Sequence, residues 1–249
     1  MENYVGLAAG YGVALGLWLF ASRLLPGLWP ATQPATFQHP WREVGWVLLA
    51  CLGVIGLGQL WSAGIRLPIQ GPAGPLLEAI NQVLIFAPLL GLLALRRQPL
   101  STAWLPTHRI GTRLLLGLAL ALVALTIYLT VTDRLDTWLN TLARTYHPRQ
   151  FGRMVQIFLE DILIAMLAVR FRAALGTTAT VIIVAALFAA GHIPAYLAQG
   201  ASFSELGSLV LDTALGIGIL FGLLHGRDIW WFWVVHMTLD LVQLVGPTS

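Results

Sequence analysis

Three features of this 249-residue chain predict an all-α, polytopic membrane helix bundle with about eight transmembrane helices. Charged residues make up only 10%, against roughly 25% in ordinary globular proteins. Hydrophobic residues make up 57%, and mean hydropathy is +0.79. The apolar residues fall into runs close to the about 20 residues that cross a hydrocarbon core. Eight such spans use about 160 residues and leave roughly 90 for ends and loops, so no separate soluble domain fits. All 14 basic residues are Arg, scattered over short loops. With no basic stripe, nucleic acid is excluded as a partner, and the first partner is the lipid bilayer. The single cysteine, Cys51, lies in an apolar run, so no internal disulfide forms.

The elements follow in order along the chain. Tyr4 to Leu25 is a Gly-rich first span. No positive charge precedes it, which reads as a retained helix rather than a cleaved signal. Pro26 to Glu43 holds four prolines and reads as a surface loop. Val44 to Ile65 is the second span, Arg66 to Pro75 a turn, and Leu76 to Leu95 the third span. Glu78, Asn81 and Gln82 near its start read as structural or interfacial. Arg96 to Arg113 is a basic loop, and Leu114 to Val131 the fourth span. In Asp133 to Arg153, Leu135, Trp138, Leu139, Leu142 and Tyr146 recur at helical spacing between charges. This suits an amphipathic helix in the interface or a helical loop packed on the bundle.

Met154 to Phe171 forms the fifth span despite Glu160 and Asp161. Thr177 to Leu197 forms the sixth, with His192. Glu205 to His225 forms the seventh, where Asp212 and His225 read as structural. Ile229 to Val245 forms the eighth, with His236 and Asp240. Trp230, Trp231 and Trp233 open it as an aromatic belt. The division is residues 1–153, four spans plus the amphipathic segment, and 154–249, the chemical core. The richer set of arginines (Arg23, Arg42, Arg96, Arg97, Arg109, Arg113, Arg170, Arg172, Arg227) falls on one side. By the positive-inside rule both termini are then non-cytoplasmic.

An ionisable group inside a span costs at least about 2.5–3.5 kcal/mol, so each needs a reason. Glu160, His192, His236 and Asp240 all fall between the midplane and one surface, Glu160 roughly 9–10 Å from its entry. His236 and Asp240 are four apart and share a helix face, as do Phe188 and His192. Glu160 and Asp161 diverge by about 100°, so only one points squarely at a given site and the other needs its own partner. A carboxylate with two imidazoles suits two chemistries. One is general-base activation of water with oxyanion stabilisation. The other is a zinc site drawn from His192, His236 and Glu160 or Asp240.

Phe188-Ala-Ala-Gly-His192 and His236-Met-Thr-Leu-Asp240, preceded by Glu160-Asp161-Ile-Leu-Ile-Ala165, resemble the motifs of the CPBP family of intramembrane endopeptidases, also called the Abi or type II CAAX protease family. The stretch from Gly216 to Arg227 is similar to that family's penultimate helix. The resemblance covers about residues 154–245. The first motif departs from the pattern, with Asp161 for a second Glu and Ala165 for Arg, which leaves Asp161 needing another partner. Arg170 and Arg172 lie roughly 13–16 Å away along the helix.

The resemblance implies a glutamic-type intramembrane protease of a bacterial or archaeal cell membrane, with no cofactor. Glu160 activates water, His192 assists, His236 stabilises the oxyanion and Asp240 orients His236. Asp161 and Phe188 support the site, and zinc is the minority alternative. The partner is a membrane-anchored protein or peptide substrate, lipidated or a sorting tail. Two other classes stay open. One is an inactive relative that binds a membrane partner. The other is a transporter, disfavoured by the absence of sequence repeats and of paired helices broken by Gly or Pro.

Overall fold

Deprived of water, the backbone groups of long apolar runs must pair among themselves, which leaves the α-helix as the local solution. The computed structural model describes residues 2–27, 29, 35–198, 200 and 207–244. It is all-α, with no strand among the described residues. The helices are α1 (Glu2–Leu24), α2 (Pro40–Ser62), α3 (Gly74–Ile85), α4 (Ala87–Leu95), α5 (Ile110–Val131), α6 (Trp138–Thr145), α7 (Phe151–Leu175), α8 (Thr177–Gly191), α9 (Ile193–Ala198), α10 (Ser208–Gly226) and α11 (Ile229–Leu244).

Four of these, α1, α2, α5 and α10, are individually long and apolar enough to cross a bilayer, and α3 with α4 supplies a fifth candidate. The chain is therefore a multi-pass integral membrane protein. The start of the expected seventh span at Glu205 and the end of the eighth at Val245 lie outside the described residues.

Two expected spans are broken rather than continuous. Leu76 to Leu95 bends by 56° between α3 and α4. Phe86 caps both pieces, and Pro88 sits in the first turn of α4, where it cannot donate back into α3. Thr177 to Leu197 stops at His192, which joins α8 to α9. Gly191 precedes it and Pro194 follows, so the helical ladder is interrupted there. Contrary to expectation, the chain does hold paired helices broken at Gly or Pro.

The segment 133–153 is not one amphipathic helix. It comprises 3-10 turns at Leu135–Thr137 and Pro148–Gln150 flanking the short α6. It packs on the bundle: the Trp138 indole donates to Thr126 Oγ1 at 3.0 Å, and the hydroxyls of Tyr146 and Thr238 lie 2.6 Å apart. The Trp cluster is likewise no surface belt. Trp231 is fully buried and stacks on Trp18, ring centroids 5.1 Å apart. Trp230 and Trp233 donate to the carbonyls of Pro106 and Met154. α11 packs against α5, α7 and α1, which buries Trp231 and leaves Trp230 and Trp233 half-buried.

α5 packs along both α1 and α11, and α7 is surrounded by α2, α3, α8 and α11. Contacts thus cross the 153/154 division throughout. At one end of the bundle, Arg113 of α5 and Asp228, in the α10–α11 turn, form a buried ion pair. The Trp29 indole and the Trp230 backbone N–H also donate to Asp228. Toward the other end, Asn81 exchanges two hydrogen bonds with the backbone of Leu67, and Gln82 donates to Glu78.

Candidate functional site

α7 carries Glu160 and Asp161 on diverging directions, and the two meet different neighbours. Glu160 is half-buried. It lines an open cavity of about 590 Å³ bordered by α2, α3, α7 and α8 and by the residues at the two helix breaks, Phe86 and His192. Phe188 and His192 line the same cavity, so the structure brings Glu160, Phe188 and His192 to one space. The wall is otherwise apolar apart from Gln59, Ser62, Gln82 and Gln156. Gln156, one turn before Glu160, donates to Glu160 Oε1 at 2.9 Å.

His192 is fixed locally. Its Nδ1 lies 2.9 Å from the Phe188 carbonyl oxygen, and the two rings meet edge-on with centroids 4.9 Å apart. Nδ1–H donating to a carbonyl leaves Nε2 as the basic nitrogen. Phe221 and His225 repeat this local arrangement, Nδ1 to carbonyl oxygen 2.9 Å, on an exposed face. The four-residue spacing alone therefore does not mark a site. What distinguishes His192 is the cavity it shares with Glu160.

Asp161 points elsewhere and is almost fully buried. Its Oδ1 receives His236 Nδ1 at 2.8 Å. The carboxylate that orients His236 is thus Asp161, from the neighbouring helix, and the expected orienting role of Asp240 is corrected. Asp240 is four residues along the same helix, and Asp161 lies across the α7–α11 contact, which spacing along one helix cannot reveal. Asp161 Oδ2 is buried and unbonded. The His236 ring lies tilted beside those of Phe232 and of Tyr11 of α1, centroids 5.5 and 6.4 Å apart. His236, Asp161 and Asp240 do not line the cavity. They still bear on it, because Glu160 lies within electrostatic reach of His192, Asp240 and His236.

The altered first motif has a physical counterpart. Ala165 is completely buried, and His236 supplies the partner that Asp161 lacks on its own helix. Arg170 is engaged elsewhere: it bonds Gln98 and the Met166 carbonyl oxygen and lies over Phe37. Among the described residues no three His, Cys, Asp or Glu side chains group to hold a metal ion.

Sequence reasoning missed Gln156, whose only signal was its position one turn before Glu160, and Tyr11, which had none. Asp212 also comes closer than its structural reading suggested. It accepts a hydrogen bond from Tyr4 and lies within electrostatic reach of His192. The chain matches no protein-family model, no curated protein and no solved structure.

Proposed function

We propose that this protein is an intramembrane endopeptidase that uses Glu160 to activate water against a peptide bond of a membrane-anchored protein, lipidated peptide or sorting tail. On this reading α7, α8 with α9, and α11 also cross the bilayer, which completes eight spans. The carrying observation is the single cavity lined by Glu160 and His192, apolar enough to receive a membrane-embedded segment. Gln156 orients the Glu160 carboxylate, and His192 Nε2 takes or returns the proton. His236, held by Asp161 behind the cavity wall, acts on the site only through its field. The resemblance of residues 154–245 to the CPBP family supports the same assignment.

The test compares membrane proteomes of cells carrying the wild-type chain, Glu160→Gln or His192→Ala, reading new C-terminal ends of membrane proteins. Loss of these ends in both variants, with the protein still inserted, supports the proposal. Unchanged processing removes it and leaves a partner-binding role.

A second reading is favoured by one observation: both proline-linked helix breaks, at Phe86 and His192, line the cavity. Transporters place discontinuous helices at their substrate sites. Proteoliposomes that take up solute or protons through the wild type but not through Glu160→Gln, with no peptide cleavage, select this reading.

A further inference from the structure

Two glutamines that line the Glu160 cavity share one arrangement. On α3, Gln82 donates its amide N–H to Glu78 Oε1, four residues earlier, at 2.8 Å. On α7, Gln156 donates to Glu160 Oε1, four residues later, at 2.9 Å. With its NH2 group turned toward an acid, each glutamine still offers its carbonyl oxygen. Gln82 is only 5% exposed, and among the described residues nothing donates to its carbonyl oxygen. Close packing of α3 on α7 holds this geometry. The two helices meet at Gly152, where a Cβ would stand 2.2 Å from Glu78 Cγ.

A buried acceptor without a partner is costly, so these carbonyls favour an occupant that donates. A hydrocarbon chain carries no donor, and a helix has already used its interior N–H groups within itself. An extended peptide keeps a free N–H on every residue except proline. Lining residues of α7 run from Gln156 to Leu167, about 16 Å of rise, which is room for about five residues of extended chain. The polar side chains gather toward one end, where Gln59 and Ser62 of α2 join Gln82 and Gln156. Leu48 and Leu52 of α2 and Leu163 and Leu167 of α7 line the rest. Such a space suits a short apolar peptide whose backbone is held at the polar end.

We propose that Gln82 binds the substrate backbone: its carbonyl oxygen accepts an N–H from an extended apolar peptide segment in the Glu160 cavity, and Glu78 positions the Gln82 amide for it. The proposal rests on the peptidase reading of the same cavity and adds the conformation in which substrate is taken. A membrane helix must unwind locally before Gln82 can engage it.

The test reads binding without turnover, on the full-length protein in detergent micelles. Cys51, the chain's only cysteine, lines the cavity, so its rate of alkylation by N-ethylmaleimide reports occupancy. The probe is an N-acetylated, C-amidated hexapeptide of alternating leucine and alanine, with five analogues in which one internal amide is replaced by an ester. The all-amide peptide should slow alkylation, and at least one ester should bind about fivefold more weakly. That penalty should vanish in Gln82→Met and persist in Gln82→Glu, which keeps an acceptor at the same point. A purely structural Gln82 would weaken amide and ester alike in Gln82→Met and leave the penalty in place, which overturns the proposal. If Gln82→Met does not fold, Glu78→Leu, which lets the Gln82 amide turn, should shrink the penalty, and an unchanged penalty there overturns it. Five esters that bind as tightly as the amide, or no protection of Cys51 by any of the six peptides, overturn it as well. A failed binding test with processing still lost in Glu160→Gln removes the role of Gln82 and keeps the peptidase. Binding through Gln82 with unchanged processing removes the peptidase and keeps the peptide site.

Discussion

His236 Nδ1 lies 2.8 Å from Asp161 Oδ1, joining α11 to α7 across 75 residues of chain. The pair fixes the imidazole from one side and leaves Nε2 as its reactive nitrogen. It also explains how the chain tolerates a buried acid at 161 beside a buried alanine at 165. The hydrogen-bond partner that Asp161 lacks within α7 comes from another helix.

If Glu160 activates water as proposed, Asp161→Asn should cost processing, because the neutral amide holds His236 less firmly than the carboxylate does. A fall of about ten- to a hundredfold in processing is expected. Asp240→Asn should cost less, since Asp240 acts only through its field. The comparison is made on accumulation of new C-terminal ends at matched protein levels. A larger loss from Asp240→Asn would reverse the assignment.

Gln156 offers a finer test of the cavity. Its amide donates to Glu160 Oε1 at 2.9 Å, so Gln156→Leu frees the carboxylate to rotate while keeping the helix. Processing should drop about tenfold. Gln156→Glu should drop it further, because two like charges one helical turn apart repel. Wild-type rates in both variants would mean that the hydrogen bond is incidental.

The sequence carried the helical character and the rough placement of most runs, because hydropathy and the length of a bilayer crossing are local properties. Shared depth grouped Glu160, His192, His236 and Asp240, and of these the cavity takes in only Glu160 and His192, with Phe188 beside them. The breaks at Phe86 and His192 were written in Pro88 and Pro194, but an apolar run of the right length hid them. The Asp161–His236 pair was not legible. Which of two diverging acids meets which imidazole depends on how α7 and α11 rotate against each other, and that is set by packing along both helices. The burial of Trp231 was hidden for the same reason: it follows from α11 lying between α5, α7 and α1.

The Arg113–Asp228 pair should dominate stability at its end of the bundle. Arg113 and Asp228 are 1% and 0% exposed. Removing one partner strands the other's charge, so Arg113→Met and Asp228→Leu should each cost about 3–5 kcal/mol. The double variant should cost much less than the two together. Denaturation in detergent micelles measures all three, and additive losses would show that the two charges do not depend on each other.

The contact between α5 and α11 depends on Gly117. A Cβ there would stand 2.7 Å from the Trp231 carbonyl oxygen and 2.8 Å from its Cα. Both are backbone atoms that no rotamer change can move, and small residues are what let membrane helices approach this closely. Gly117→Ala should destabilise the protein by about 1–3 kcal/mol. Gly16→Ala, where nothing lies within 4 Å of the added atom, should cause no loss. His236 lies five residues beyond Trp231 on α11, so pushing α11 away from α5 should also disturb its alignment with Asp161. Gly117→Ala is then expected to lose processing beyond its loss of folded protein, and Gly16→Ala to keep both. Equal behaviour of the two variants would separate this helix contact from the site.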